Sequence, residues 1–116
     1  MLGPGFTEDL YEEAFAHELN LRELKFIRQL EIEIPYKEII AHKYRLDFVV
    51  ENKVVVELKA VNELSPIHEA QVLSYLRASK LEVGLLLNFN EERMKDGIKR
   101  IVLSERYRER RDSGNK

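Results

Sequence analysis

Apolar positions recur with a period near 3.6 over residues 8–24, then with a period of two over 26–36, 44–50 and 54–59. They surround most of a helix-length segment at 66–80 and run unbroken through 83–89. The first rhythm predicts a helix with one face on a core, the second strands with one face on a core. In the opening segment Thr7 is the expected N-cap, with Glu8 and Asp9 favourably placed in the first turn. Leu10, Tyr11, Ala14, Phe15 and Leu21 make the expected apolar arc, with Glu18 near its middle. Over 26–36, Phe26, Leu30, Ile32, Ile34 and Tyr36 share one side and Gln29, Glu31 and Glu33 the other. That is a strand with one wet face, and Pro35 places it near a sheet edge. Residues 37–42 read as a connection.

Ser65 is the expected N-cap of the second helix, with Pro66 at its first position. Val72, Leu73 and Leu76 make this helix largely buried, and the stripe Ala70, Ser74, Ala78 suits close packing on a sheet. Gln71 and Tyr75, four apart, are neighbours on one face. His68 reads as an exposed first-turn residue. The run at 83–89 reads as a strand covered on both sides. A short helical turn within 91–97 and a last strand at 98–103 complete the series. Three sequential strands with short connections should be antiparallel. The helix then crosses over to a strand parallel to its neighbour. The expected fold class is α/β, in the sense of an α+β mixed sheet flanked by helices, in the order αβββαβ.

At 116 residues the chain is one domain, and 44% apolar residues suffice for a core. Its bounds are read as 1–103, followed by a charged C-terminal tail at 104–116. No apolar run is long enough for a transmembrane helix, the N-terminus lacks a basic and apolar signal, and cysteine is absent. These points favour a cytoplasmic location without membrane association. Charge is uneven. Residues 1–92 hold 10 Lys+Arg against 17 Asp+Glu, a balance of −7, and residues 93–116 hold 9 against 4, a balance of +5. The basic end suits a polyanion, whereas the acidic remainder argues against strong indiscriminate nucleic-acid binding.

The charges that need a reason lie in residues 44–60, two apolar arms around Glu51-Asn52-Lys53. By alternation Tyr44, Leu46, Phe48 and Val50 face one way in the first arm, and Val54, Val56 and Leu58 share a face in the second. Asp47 and Glu57 then sit inside apolar strands, where an unpaired carboxylate is costly. A three-residue turn, with Asn52 or Lys53 left-handed, pairs Val50 with Val54 and sets Asp47 opposite Glu57. Directly opposed Cβ atoms lie roughly 4.5–5.5 Å apart. Carboxylates so close repel unless a proton or cation intervenes, and Lys59 supplies one charge on the same face. A two-residue turn would instead put the acids on different faces.

An apolar strand carrying Asp47, a second carrying Glu57-x-Lys59, and a helix with Gln71-x-x-x-Tyr75 together resemble the PD-(D/E)XK nuclease superfamily, especially its RecB-like branch. Gly5-x-x-Glu8-x-x-Tyr11 resembles the signature of the small GxxExxY proteins placed there. The residues at 84–89 and 97–100 fit the same pattern, so the likeness spans about 3–103. It implies a restriction-endonuclease-like αβββαβ core and a metal-dependent nuclease acting on DNA. Asp47 and Glu57 would hold Mg²⁺ or Mn²⁺ with the Leu58 carbonyl, oxygen ligands suited to hard ions. Glu8 would assist that metal or a second one. Lys59 would orient or deprotonate the attacking water, and Gln71 and Tyr75 would position the phosphate or tune Lys59. The usual proline before the first acid is absent, since Arg45-Leu46 precede Asp47. The histidine that branch often carries near its N-terminus is replaced by Glu8, with His17 too far along the helix.

Two further readings stand beside this one. The same fold could be a non-catalytic nucleic-acid- or protein-binding module, or the three charges a buried ion network. A small nuclease core also suits a homodimer or a protein partner, and the first strand offers an edge for pairing.

Overall fold

The computed structural model describes residues 7–90 and 94–103. The elements follow in the order α1 (Glu8–Leu21), β1 (Phe26–Tyr36), β2 (Ile39–Val50), β3 (Val54–Lys59), α2 (Pro66–Ser79), β4 (Val83–Asn88) and β5 (Ile98–Val102). A 3-10 turn at Met94–Gly97 precedes β5. One sheet holds all five strands in chain order, β1-β2-β3-β4-β5. Only β3 and β4 are parallel, joined by α2; the other neighbours are antiparallel. The expected architecture is therefore the observed one. The tail at 104–116 and Gly5 lie outside the described residues.

Each helix covers one face. α1 contributes Tyr11, Ala16 and Leu19 to a cluster with Phe48, Val56, Leu58, Leu87 and Phe89. α2 contributes Val72, Tyr75 and Leu76 to a cluster with Leu46, Val49, Val55, Leu86 and Ile101. The buried stripe of α1 differs from the expected arc, for Leu10 and Leu21 are 40% and 63% exposed. The helix is turned instead to stack Tyr11 on Phe89, centroids 4.5 Å apart, and to set Phe15 edge-on to Phe48 at 5.0 Å. Aromatic area outweighs two leucines here. Glu18 leaves the core and pairs with Arg22 at 3.8 Å on the surface.

The small-residue stripe of α2 is not a buried one either, with Ser74 and Ala78 half-buried. Ala70 is exposed, and the Ser74 hydroxyl donates to its carbonyl at 3.1 Å. Close approach comes from the sheet instead. A Cβ built on Gly84 of β4 would lie 2.6 Å from Val72 Cγ1. His68 completes a capping box, its Nδ1 accepting the Ser65 N–H at 2.9 Å.

The long β1–β2 hairpin corrects two strand expectations. The connection at 37–42 shrinks to Lys37 and Glu38, both left-handed at φ 44° and 70°, so residues 39–42 belong to β2. Side-chain alternation also inverts partway along. Phe26 packs with the α1 cluster but Leu30 and Ile32 with the α2 cluster, and Phe48 and Leu46 divide the same way. Both inversions fall at one level, where the ladder passes from Arg28↔Phe48 to Leu30↔Leu46 without pairing Gln29 and Asp47. Gln29 is left-handed there, φ 52°, which rolls the strand over. The single-sided reading of 26–36 and 44–50 missed this.

Candidate active site

β2 and β3 pair only over Phe48↔Val56, Val49↔Val55 and Val50↔Val54. This is the three-residue-turn register, closed by the Lys53 N–H donating to the Val50 carbonyl at 3.0 Å. Glu51 and Asn52 are the left-handed residues, φ 54° and 55°, whereas Lys53 is not. One step beyond Phe48↔Val56 the ladder stops and two carboxylates replace it. The Asp47 N–H donates to Glu57 Oε1 at 3.0 Å, and the Leu58 N–H donates to Asp47 Oδ2 at 2.8 Å. The strands part at the acid pair, and the acids satisfy the backbone donors that parting exposes.

The pair is electrostatically loaded. Glu57 is 3% exposed. Burial first, and then the negative charge of Asp47, push its carboxyl up to about 8, against a weaker pull from the Asp47 amide and Lys59. The two carboxyls are also hydrogen-bonded to each other, so near neutrality the pair holds a proton.

α2 closes the same face. Tyr75 is buried, accepts a hydrogen bond from Gln71, and is pushed up to about 12, first by burial and then by the charges of Glu57, Tyr44 and Asp47. Asp47, Glu57, Gln71 and Tyr75 thus gather with half-buried Lys59, two residues past Glu57 on its face of β3. Glu8 reaches the end of the same strand. Its Oε1 accepts the Ala60 N–H at 3.1 Å, bracing the end of β3. Among the described residues, no three acidic or histidine side chains converge as a metal-holding group. Of the Gly5-x-x-Glu8-x-x-Tyr11 signature, Tyr11 is a core residue.

Three residues outside the expected site set buttress it. Tyr44 packs edge-on against Tyr75 at 4.9 Å. Asn88, almost fully buried, donates to the Val61 carbonyl at 2.9 Å and accepts the Val61 N–H at 3.1 Å, fixing the chain just beyond Lys59. An asparagine inside an otherwise apolar run was the available signal for it. Glu12 accepts from Arg28 at 3.1 Å and from Gln29 at 3.0 Å, tying α1 to the kinked strand.

An αβββαβ chain whose two acids meet where the central strands part defines a restriction-endonuclease-like core. The chain belongs to the PD-(D/E)XK nuclease superfamily, whose family model matches residues 1–101. No curated protein matches it significantly. Among solved structures it is similar to SSO0001, with 23% identity and a TM-score of 0.65 over 90% of this chain and 55% of that one. It is also similar to an alkaline exonuclease from Laribacter hongkongensis, with 13% identity and a TM-score of 0.62 over 90% and 60%. At those identities the likeness establishes the fold. The chain spans somewhat over half the length of these two structures.

Proposed function

We propose that this chain is a metal-dependent nuclease that hydrolyses phosphodiester bonds in DNA, using Mg²⁺ or Mn²⁺. The observation that carries this reading is the meeting of Asp47 and Glu57 in a buried site beside Lys59. Two crowded carboxylates with one nearby ammonium favour a further cation. Mg²⁺ is commonly held by one or two carboxylates plus water and substrate phosphate, so a third acid is not required. Asp47, Glu57 and the Leu58 carbonyl would hold the ion. Glu8 can offer only the oxygen that the Ala60 amide does not occupy.

When bound, such an ion polarises a phosphoryl oxygen and acidifies a water. Glu57 must first release its proton, so proton and metal compete for the pair. Lys59 would orient the attacking water and offset phosphate charge. Gln71 and Tyr75 would hydrogen-bond the phosphate from α2. The water oxygen bonds to phosphorus as the bond to the leaving oxygen breaks; one water proton passes to solvent, and the departing oxygen takes a proton from solvent to leave as the alcohol.

The test is cleavage of plasmid, linear and single-stranded DNA with Mg²⁺ or Mn²⁺, by the parent and by Asp47→Ala and Lys59→Ala. Metal-dependent cutting that both substitutions abolish supports the reading. Binding without cutting under every condition would instead make the chain a non-catalytic binding module.

A further inference from the structure

β2 runs well past its partner β3. Residues 39–46 of β2 pair only with β1, so the outer half of the β1–β2 hairpin is a two-stranded arm. One face of that arm carries a row of rings that begins at the acid pair. Tyr75, whose hydroxyl feels the charges of Glu57 and Asp47, touches Tyr44 at 4.9 Å, and Tyr44 touches His42 at 4.5 Å. His42 is exposed and lies opposite Ile34. Tyr36 lies two residues beyond Ile34 on the same face of β1, because the bulge at this level adds its extra residue, Ala41, to β2. Tyr36 is 59% exposed, with the Lys37 ammonium 5.4 Å from its ring centroid. Tyr75, Tyr44 and His42 therefore form a contiguous row, and Tyr36 follows on the same face near the arm tip.

We propose that this arm is a stacking platform for unpaired bases, and that the substrate is a single-stranded or frayed strand led along it to the acid pair. The proposal rests on the nuclease reading for what happens at Asp47 and Glu57, but not for binding along the arm. Three features favour bases over another occupant. From His42 inward the row is continuous with the site through ring contacts, so a strand lying on it arrives where a phosphate would be cut. The acids of the arm's other face are matched across the ladder, Glu31 opposite Arg45 and Glu33 opposite Lys43, with Lys43 3.7 Å from Glu31. They therefore put little repulsion in the way. Stacking is also the sequence-tolerant route to affinity for a chain too acidic to rely on phosphate contacts alone. Bases inside a duplex keep their faces covered, so only unpaired bases can use such a row.

The experiment measures binding of a fluorescent thymidine oligonucleotide and of a blunt duplex of equal length, in EDTA. It uses the parent, His42→Ala, Tyr36→Ala and His42→Phe. The parent should prefer the single strand. Each alanine should weaken that binding about tenfold, His42→Phe should retain it, and duplex binding should stay unchanged. Both positions are exposed, so folding is preserved, and circular dichroism checks this. Hydrolysis of bis(p-nitrophenyl) phosphate with Mn²⁺, a substrate too small to reach the arm, should be the same in all four proteins. If that hydrolysis is absent while the ring-dependent binding stands, the nuclease reading fails and the platform survives. Equal affinities across the four proteins overturn the platform. So does a change in sedimentation on substituting His42 or Tyr36 with affinity unchanged, which would make the arm a contact between copies of the chain.

Discussion

Replacing Glu57 by glutamine removes one titration and little else. The amide oxygen can still accept the Asp47 N–H, and its NH₂ can donate to Asp47 as a protonated carboxyl would. A glutamate in water ordinarily titrates near 4.5, whereas the fold pushes Glu57 up to about 8. Below pH 4.5 the folded and unfolded chains both hold its proton, and the site carries no penalty. Between pH 4.5 and 8 the unfolded chain releases that proton while the fold must keep it, so stability falls with pH. Above about 8 both have lost it, and the fold bears the full cost of the buried charge. Each tenfold change in proton affinity is worth about 1.4 kcal/mol, which makes about 5 kcal/mol a ceiling for the loss from acid to alkaline pH. Part of that loss is already present at pH 5.5, so at roughly 4 °C per kcal/mol for a domain of this size the parent in EDTA should melt lower at pH 8.5 than at pH 5.5, by at most on the order of 10–15 °C. Glu57→Gln should lack this slope. The two proteins share every other side chain, so the difference between the two curves isolates Glu57. Millimolar Mg²⁺ or Mn²⁺ at pH 8.5 should restore part of the loss in the parent and none in the variant. A parent whose melting in EDTA ignores pH over this range, or a variant that keeps the parent's slope, would refute the reasoning.

Three other outcomes follow from the geometry. Tyr75→Phe removes a hydroxyl that Gln71 donates to; it should cost at most about 1 kcal/mol of stability yet reduce cleavage tenfold or more, and unchanged cleavage would show the ring to be core only. Gly84→Ala should destabilise by about 1–3 kcal/mol because its methyl would meet Val72 Cγ1 at 2.6 Å, and Val72→Ala in the same chain should recover part of that loss in urea titrations. Gln29→Gly should be nearly neutral, since relief of the left-handed backbone, about 1–2 kcal/mol, offsets the lost Glu12 contact; Gln29→Val should destabilise clearly, and equal melting points for the two would mean the positive φ carries no strain.

Some of this was legible because a charge in an apolar strand is hard to ignore. Asp47 and Glu57 demanded a register that brought them together, and Val50↔Val54 supplies it. Ser65-Pro66 marked the start of α2, and the run at 83–89 marked the covered strand. The rest was hidden where residue type and conformation disagree. Nothing about Gln29, Lys37, Glu38 or Glu51 advertises a left-handed backbone, yet all four adopt it, so the short turn and the roll of the hairpin could not be read. The face of α1 was misjudged because counting apolar residues weighs Leu10 like Tyr11. Only the fold reveals that Phe89 and Phe48 wait for the aromatic rings. Gly84 stood out in the sequence for family likeness alone, while its physical work, admitting Val72, depends on a partner 12 residues earlier.

The acid pair also bears on how the chain folds. Asp47 and Glu57 belong to one hairpin and are ten residues apart, so the β2–β3 turn brings them together over a short loop whose closure costs little entropy. The sheet order repeats the chain order, which lets that hairpin form before β4 and β5 arrive. If the hairpin is part of the folding nucleus, the repulsion between the carboxylates is felt in the transition state rather than after it. A proton or a metal ion on the pair would then relieve that repulsion and accelerate folding. In a chevron plot, raising the pH in EDTA should depress the refolding arm by the share owed to that repulsion, and the share owed to burial, the larger one, should raise the unfolding arm.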